Sequence, residues 1–399
     1  MIGTLSRVQY WVLAVLILFG ASASVANAQR KSEIVIGYSI SLTGKFSTEG
    51  SDVHRAYELW AEQVNKQGGI AVKDSGGKLP VKLVHYDDSS DTNNAIRNYE
   101  RLITKDQVDL LFSPWGSGHN FAITALTEKN KYPILLTAAG SDRIFQRNFK
   151  YIFQTTQLAS NLYDAKVSFL SSEKGSIKTV AIAYENFLFT QSLHDALLAK
   201  LKKEGIQVVA DEQYPLGGQD FTSMLTKIKA AKPDAFLLIN IMPSSVYVTR
   251  QMVEVGFKPK VYSVNIGPMF AAEFIDKLGA VTEGIIENGF WHPDLPYEGA
   301  KQFNDAYVAK YKKNPSTDAA YAYIGNQILQ QAVEQAGTLD KERVTQTLRS
   351  GKFSTILGPY EYDQNGVNKH QLIFFVQVQK GKRVIVWPKD IAKGTVQMQ

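Results

Sequence analysis

Ser117 and Ser141 stand where a small molecule could be held. Each lies in a loop that follows an apolar, strand-like run: residues 113–119 follow 110–112, and residues 137–143 follow 134–136. Open α/β sheets bind ligands beyond the carboxyl ends of their strands, where the chain turns into a helix. A helix starting near His119 would aim free backbone N–H groups at such a cleft. Two serine hydroxyls beside it would complete a receptor for a carboxylate. The same hydroxyls would also serve as ordinary helix N-caps, and the spacing leaves both roles open.

Other chemistry finds less support. The six histidines, His54, His85, His119, His194, His292 and His370, are scattered, with neither an HExxH pair nor a Gly-x-Ser-x-Gly elbow. Ser117 with His119 lacks a third member, so a serine hydrolase is only a remote alternative and no catalytic residue is assigned. Gly116-Ser117-Gly118 lacks the Gly-Lys-Ser/Thr ending of a phosphate loop. Asp87, Asp88 and Asp91 look like a metal cluster, but a strand end followed by the N-cap of a helix from Thr92 explains them more simply. No metal or cofactor is expected.

These loops need a scaffold, and apolar strand-like runs alternate with helical patterns along most of the chain, the mark of parallel sheets covered on both faces. A first series comprises residues 34–40, 81–86, 110–112 and 134–136; a second comprises 180–183, 208–209, 235–239 and 261–264. Late helices are expected at 301–311, 321–336 and 341–348. Residues 371–379 and 383–387 then read as an antiparallel hairpin around Lys380-Gly381-Lys382. The late helices and the hairpin are expected to belong to different lobes, with crossovers near 149–154, 284–289 and 357–363.

At the N-terminus, Arg7 precedes a short apolar run, residues 11–19, and small residues 21–28 follow. This reads as a secretory signal cleaved after Ala28, placing the mature chain in the periplasm. The run is shorter than the roughly 20 apolar residues that span a bilayer. Cleavage leaves 371 residues and removes only Arg7 among charged residues, so a net charge of +6 becomes +5. No consecutive basic block gathers that charge into a stripe, so nucleic acid is not an expected partner. There is no cysteine, hence no disulfide and no thiolate chemistry.

The order of residues is similar to a known family. Ser41-Leu42-Thr43-Gly44, Gly50, residues 65–70, Tyr86-Asp87-Asp88, Gly116-Ser117-Gly118, Thr137-Ala138-Ala139-Gly140-Ser141 and Val255-Gly256-Phe257 follow one another between about Glu33 and Trp387. The chain thereby resembles the periplasmic solute-binding proteins of the branched-chain amino acid ABC transporter type. The resemblance implies an α/β fold with two similar doubly wound lobes joined by three crossovers, a type I Venus-flytrap. Lobe one would comprise residues 29–150 and 289–357, and lobe two 151–288 and 358–399. It further implies a monomer that delivers a small carboxylate to an ABC permease in the inner membrane. A ligand-binding sensory module is the alternative use of such a fold, and an end at Gln399 fits the free binding protein better.

By the same resemblance, Ser117, the backbone at Ala139 with Gly140, and Ser141 hold the ligand carboxylate. Trp115, Phe189 and Trp291 fall where aromatic pocket walls are expected, although with 44 aromatic residues in the chain most are ordinary core. Asn265 falls where the family carries an acid that pairs with an amino acid's ammonium. Asparagine has no charge, and a buried ammonium without a counter-ion costs several kcal/mol. The ligand expected is therefore a carboxylate without an amine, an aromatic acid or a 2-oxo acid, unless an acid such as Glu49 substitutes. An amino acid or amide is the alternative.

Overall fold

The computed structural model describes residues 31–241, 243–267 and 272–398. The expected signal segment lies outside them. Glu33–Gln399 forms one compact unit, built on two separate sheet systems.

Lobe one contains β1 (Ile34–Ile40), β2 (Ile70–Val72), β3 (Gly77–Leu79), β4 (Val81–Asp87), β5 (Leu110–Leu111), β6 (Ile134–Leu136) and β7 (Ile152–Gln154). β1 pairs in parallel with β4 and β5, β6 pairs in parallel with β7, and β2 and β3 form a small hairpin. β1 is apolar almost throughout because helices cover both faces of a parallel sheet.

Lobe two contains β8 (Thr179–Glu185), β9 (Gln207–Tyr214), β10 (Ala235–Ile239), β11 (Val261–Val264) and β12 (Ile286–Gly289). A short hairpin, β13 (Phe353–Thr355) and β14 (Gly358–Tyr360), precedes β15 (Phe374–Gln379) and β16 (Lys382–Trp387). The lobe-two sheet runs β16-β15-β12-β11-β10-β8-β9, with β15 and β16 antiparallel. The late hairpin therefore completes this sheet. The late helices pack instead on lobe one: Thr317–Ala336 lies against Ser47–Lys66, with Trp60 Nε1 bonded to Gln330 and Tyr323 to Gln63.

The crossovers follow the strands rather than coincide with them. Residues 152–154 pair with β6, so the first crossover follows Gln154; residues 286–287 pair with β11 and 286–289 with β15, so the second follows Gly289. The third runs into β15 beyond the hairpin that occupies part of 357–363. One side chain ties all three together. Buried Gln157, on the first crossover, donates through Nε2 to Leu372 O of the third at 3.0 Å and to Gly289 O of the second at 3.4 Å. The Tyr321 hydroxyl bonds to Gln157 Oε1 and lies 3.1 Å from Phe290 O.

Candidate ligand site

Strand-end loops of both sheets converge on one small cavity of about 40 Å³. Lobe one supplies Trp115, Gly116 and Ser117 after β5, Ala138 and Gly140 after β6, and Asp318 and Tyr321 from the first turns of the helix Thr317–Ala336. Lobe two supplies Phe187 and Phe189 after β8, Ile241 after β10 and Ile266 after β11. Thr156 and Phe290 enter from the first two crossovers. Among the described residues, the polar lining groups thus come from lobe one and the crossovers, while lobe two contributes apolar walls.

Ser117 opens the helix Ser117–Lys129, two residues earlier than expected, and Gly116, at φ +86°, is its N-cap without a side-chain cap. Neither serine caps a helix through its hydroxyl: Ser141 precedes Asp142–Phe145 with no side-chain cap bond. Ser117 Oγ instead accepts from Ser141 N at 3.2 Å, which leaves its own proton free to donate. Ser141 Oγ is 2.7 Å from Ser192 Oγ, on the lobe-two helix Leu188–Glu204. Between the serines, Ala138 holds φ +53°, a left-handed conformation that a non-glycine residue keeps only where its surroundings enforce it.

Gly140 lies under the opposite lobe. A Cβ there would stand 2.6 Å from Gln157 O and 2.8 Å from Phe189 Cε2, so only glycine lets the Phe189 ring seat on this loop. Ala139 is buried against Ile144 and its neighbours and is not among the cavity's lining residues, which are Ala138 and Gly140 on either side of it.

Trp115 is buried, and its Nε1 donates to Asp318 Oδ2 at 2.8 Å. Its ring lies nearly parallel to Phe187, 17° between planes and 6.3 Å between centroids, one ring from each lobe. Phe46 packs against both. Trp291 faces elsewhere: its Nε1 donates to Ile356 O at 3.3 Å, its ring packs on Phe303, and Phe290 takes the cavity wall.

Asn265 is fully buried but does not line the described cavity. Its Nδ2 donates to Asn240 O at 3.2 Å and its Oδ1 accepts from Asn288 Nδ2 at 2.7 Å, while Asn240 Nδ2 donates to Ile266 O. Three amides from the ends of β10, β11 and β12 so form a ladder across lobe two. The one carboxyl among the described residues that line the cavity is Asp318. Burial pushes its carboxyl up to about 8 against the opposing Trp115 hydrogen bond, and the charges of Glu49 and Asp52 add to the rise. Burial also raises Glu49, to about 7, with Asp52 and Glu185 adding. The acidic loop expected to cap a helix does so: Asp91 Oδ1 accepts from Asn94 N, while Asp87 and Asp88 accept from nearby backbone and hydroxyl groups.

Asp318, Phe187 and Tyr321 escaped the sequence reading. Ser316 as N-cap, its Oγ accepting from Ala319 N at 3.2 Å, was the signal that would have started the helix at Thr317 and put Asp318 in its first turn.

Two sheets with a cavity between their strand ends, joined by three crossovers, define a two-lobed binding protein of type I. The chain belongs to the periplasmic binding protein family, whose model matches residues 33–383. Among its relatives is the Leu/Ile/Val-binding protein homolog 7 of Brucella suis biovar 1, 24% identical over 407 aligned positions that cover 96% of this chain and 98% of the relative. The fold is similar to a leucine-binding protein, LivK, of Thermotoga maritima, with TM-score 0.78 and 24% identity, covering 90% of this chain and all of that one. It is also similar to an ABC transporter solute-binding protein of R. palustris in complex with benzoate, with TM-score 0.76 and 18% identity, covering 88% of this chain and 95% of that one. Among the described residues no helix is long and apolar enough to cross a membrane.

Proposed function

We propose that this protein is the periplasmic solute-binding component of an ABC importer and that it traps a small carboxylate with a flat, apolar body. The observation that carries this is the cavity itself, with the uncapped helix start at Ser117 on one lobe and the Phe187 and Phe189 rings on the other. The first-turn N–H groups and the free Ser117 proton suit a carboxylate. The near-parallel Trp115 and Phe187 rings suit a planar group, since ring pairs contribute about 0.5–1.5 kcal/mol beyond area burial. Closure would be selected because only the closed form contacts the solute from both sides, and a permease would read that form.

Aromatic acids fit this description directly, and 2-oxo acids are their smaller counterparts. The Asn265 side chain is engaged by Asn240 and Asn288, so that position decides nothing about an amine. The relatives on this fold include one named for leucine and one bound to benzoate, which supports a carboxylate of either kind. A thermal-shift screen of the mature protein against aromatic acids, 2-oxo acids, amino acids and amides tests the reading. A carboxylate should raise the melting temperature of the wild type and raise it less in Ser117→Ala; stabilisation by amides alone, or by none of the four classes, would overturn it.

A further inference from the structure

The cavity sits beyond the carboxyl ends of the parallel lobe-two strands, and lysines gather at their amino ends. Residues 173–178, 202–206, 231–234, 258–260 and 282–285 lead into β8, β9, β10, β11 and β12. The turn at 380–382 lies at the same end, because β15 runs antiparallel to β12 and Glu283 accepts from the backbone N–H groups of Lys380 and Gly381. These six segments hold nine lysines, no arginine and four acids, a net charge of +5 that equals that of the whole chain without residues 1–28. Two of the acids are paired within the cluster, Asp234 with Lys260 at 2.7 Å and Glu204 with Lys174 at 3.4 Å. The ammoniums of Lys178, Lys232, Lys258, Lys380 and Lys382 are exposed and bonded to no described residue. Lysines at a free sheet edge discourage strand pairing, which accounts for those beside β16 but not for those at β8, β10 and β11, which are interior strands.

Apolar side chains stand among these lysines. Val253, Val281 and Met398 are exposed and line one groove with Lys258 and Glu283. Among the described residues the other large apolar side chain exposed in this way is Phe121, on lobe one. We propose that this end of lobe two adsorbs to a membrane surface presenting anionic phospholipid headgroups, with the lysines against the phosphates and Val253, Val281 and Met398 at the headgroup boundary. Protein interfaces are depleted in lysine and favour arginine and aromatic rings at their centres. Flexible, hydrated ammoniums on separate segments instead suit the diffuse charge of a bilayer. Adsorption leaves the cavity uncovered, since it opens beyond the opposite ends of the strands, roughly 16 Å away by the length of β10. On the importer reading, the adsorbed protein keeps its solute site facing solution while it rests beside its permease.

The test is flotation of the mature protein with phosphatidylcholine vesicles, with and without a third of phosphatidylglycerol, at low salt and at about 1 M salt, where the Debye length is about 3 Å. Wild type should float with the anionic vesicles at low salt and with neither kind at high salt. Lys258→Gln, Lys380→Gln and Lys382→Gln combined should weaken that binding on the order of a hundredfold, about fivefold per charge. Arginine at the same three positions should preserve it, because total charge sets the attraction. Val253→Ser with Val281→Ser should weaken it at least roughly threefold through lost apolar contact. Each variant is first shown to melt cooperatively, and no solute enters the measurement, so its outcome is separate from that of the solute screen. The proposal is overturned if neutral vesicles bind as well as anionic ones, if high salt leaves the protein on the vesicles, or if the glutamine variant binds as wild type does. It is also overturned if soluble poly-L-glutamate binds more tightly than the anionic vesicles, which would make an acidic protein the partner.

Discussion

Ser141 Oγ and Ser192 Oγ meet at 2.7 Å across the cleft, one hydroxyl from each lobe, and Ser192 Oγ also lies 3.0 Å from Leu188 O. A hydroxyl has one proton. If Ser192 gives its own to Leu188 O, Ser141 must donate to Ser192 and has none left for a solute. Holding a carboxylate through Ser141 requires Ser192 to turn its proton toward Ser141.

The two serines should therefore respond differently to truncation. Ser141→Ala should weaken solute binding roughly ten- to a hundredfold. Ser192→Ala should leave affinity within about threefold, because the Ser141 proton is released for the solute. Calorimetry on both variants checks this; equal losses would show that Ser192 contacts the solute or supports the site in another way.

Gly140 should control closure. Gly140→Ala forces a methyl against Gln157 O and the Phe189 ring, and a backbone oxygen cannot yield as a side-chain tip can. Overpacking of this kind costs about 1–3 kcal/mol. Small-angle scattering with saturating solute should give a larger radius of gyration for the variant than for wild type, and Phe189→Ala in the same chain should restore part of the compaction.

Asp318 should make the solute-free protein less stable as the medium becomes alkaline. Its folded-state value, about 8, lies above that of an unfolded carboxyl. Between the two, the folded chain holds a proton that the unfolded chain has released. The stabilisation is fully present below the unfolded value and is lost as pH rises through the folded one. Glu49, raised to about 7, acts with the same sign. Melting temperatures from pH 5 to pH 9 should fall less in Asp318→Asn than in wild type, and less again when Glu49→Gln is added.

Tyr321 and Gln157 should set how the lobes are hinged. Gln157→Leu removes the donor to Gly289 O and Leu372 O, and Tyr321→Phe removes the hydroxyl beside Gln157 Oε1 and Phe290 O. Each removes two hydrogen bonds at the crossovers, at about 0.5–1.5 kcal/mol apiece. Denaturant titration should show that loss in both variants. Hydrogen exchange should rise at the crossovers before it rises in β1 or β10.

The fold was legible where burial on both faces wrote itself into the chain. β1, β8 and β10 are continuous apolar runs, and the positions of Ser117 and Ser141 after β5 and β6 followed from them. The site was legible only to within a residue or two. In extended chain one step reverses the face, and Trp291 packs on Phe303 where Phe290 reaches the cavity. Phe189 was anticipated but Phe187 was not, although both line the wall. Asn265 was read for the charge it lacks, whereas its surroundings depend on Asn240 and Asn288, which are distant in sequence and adjacent only because β10, β11 and β12 pair.

The unequal sharing of polar groups between the lobes orders events in time. On the proposed reading, an arriving solute would exchange its hydration for Ser117 and the helix start while the cleft is still open, and Phe187, Phe189, Ile241 and Ile266 would act afterwards, by shutting water out. Capture speed then belongs to one half of the molecule and residence time to the other, so substitutions in the apolar half should alter how long a solute stays far more than how fast it arrives.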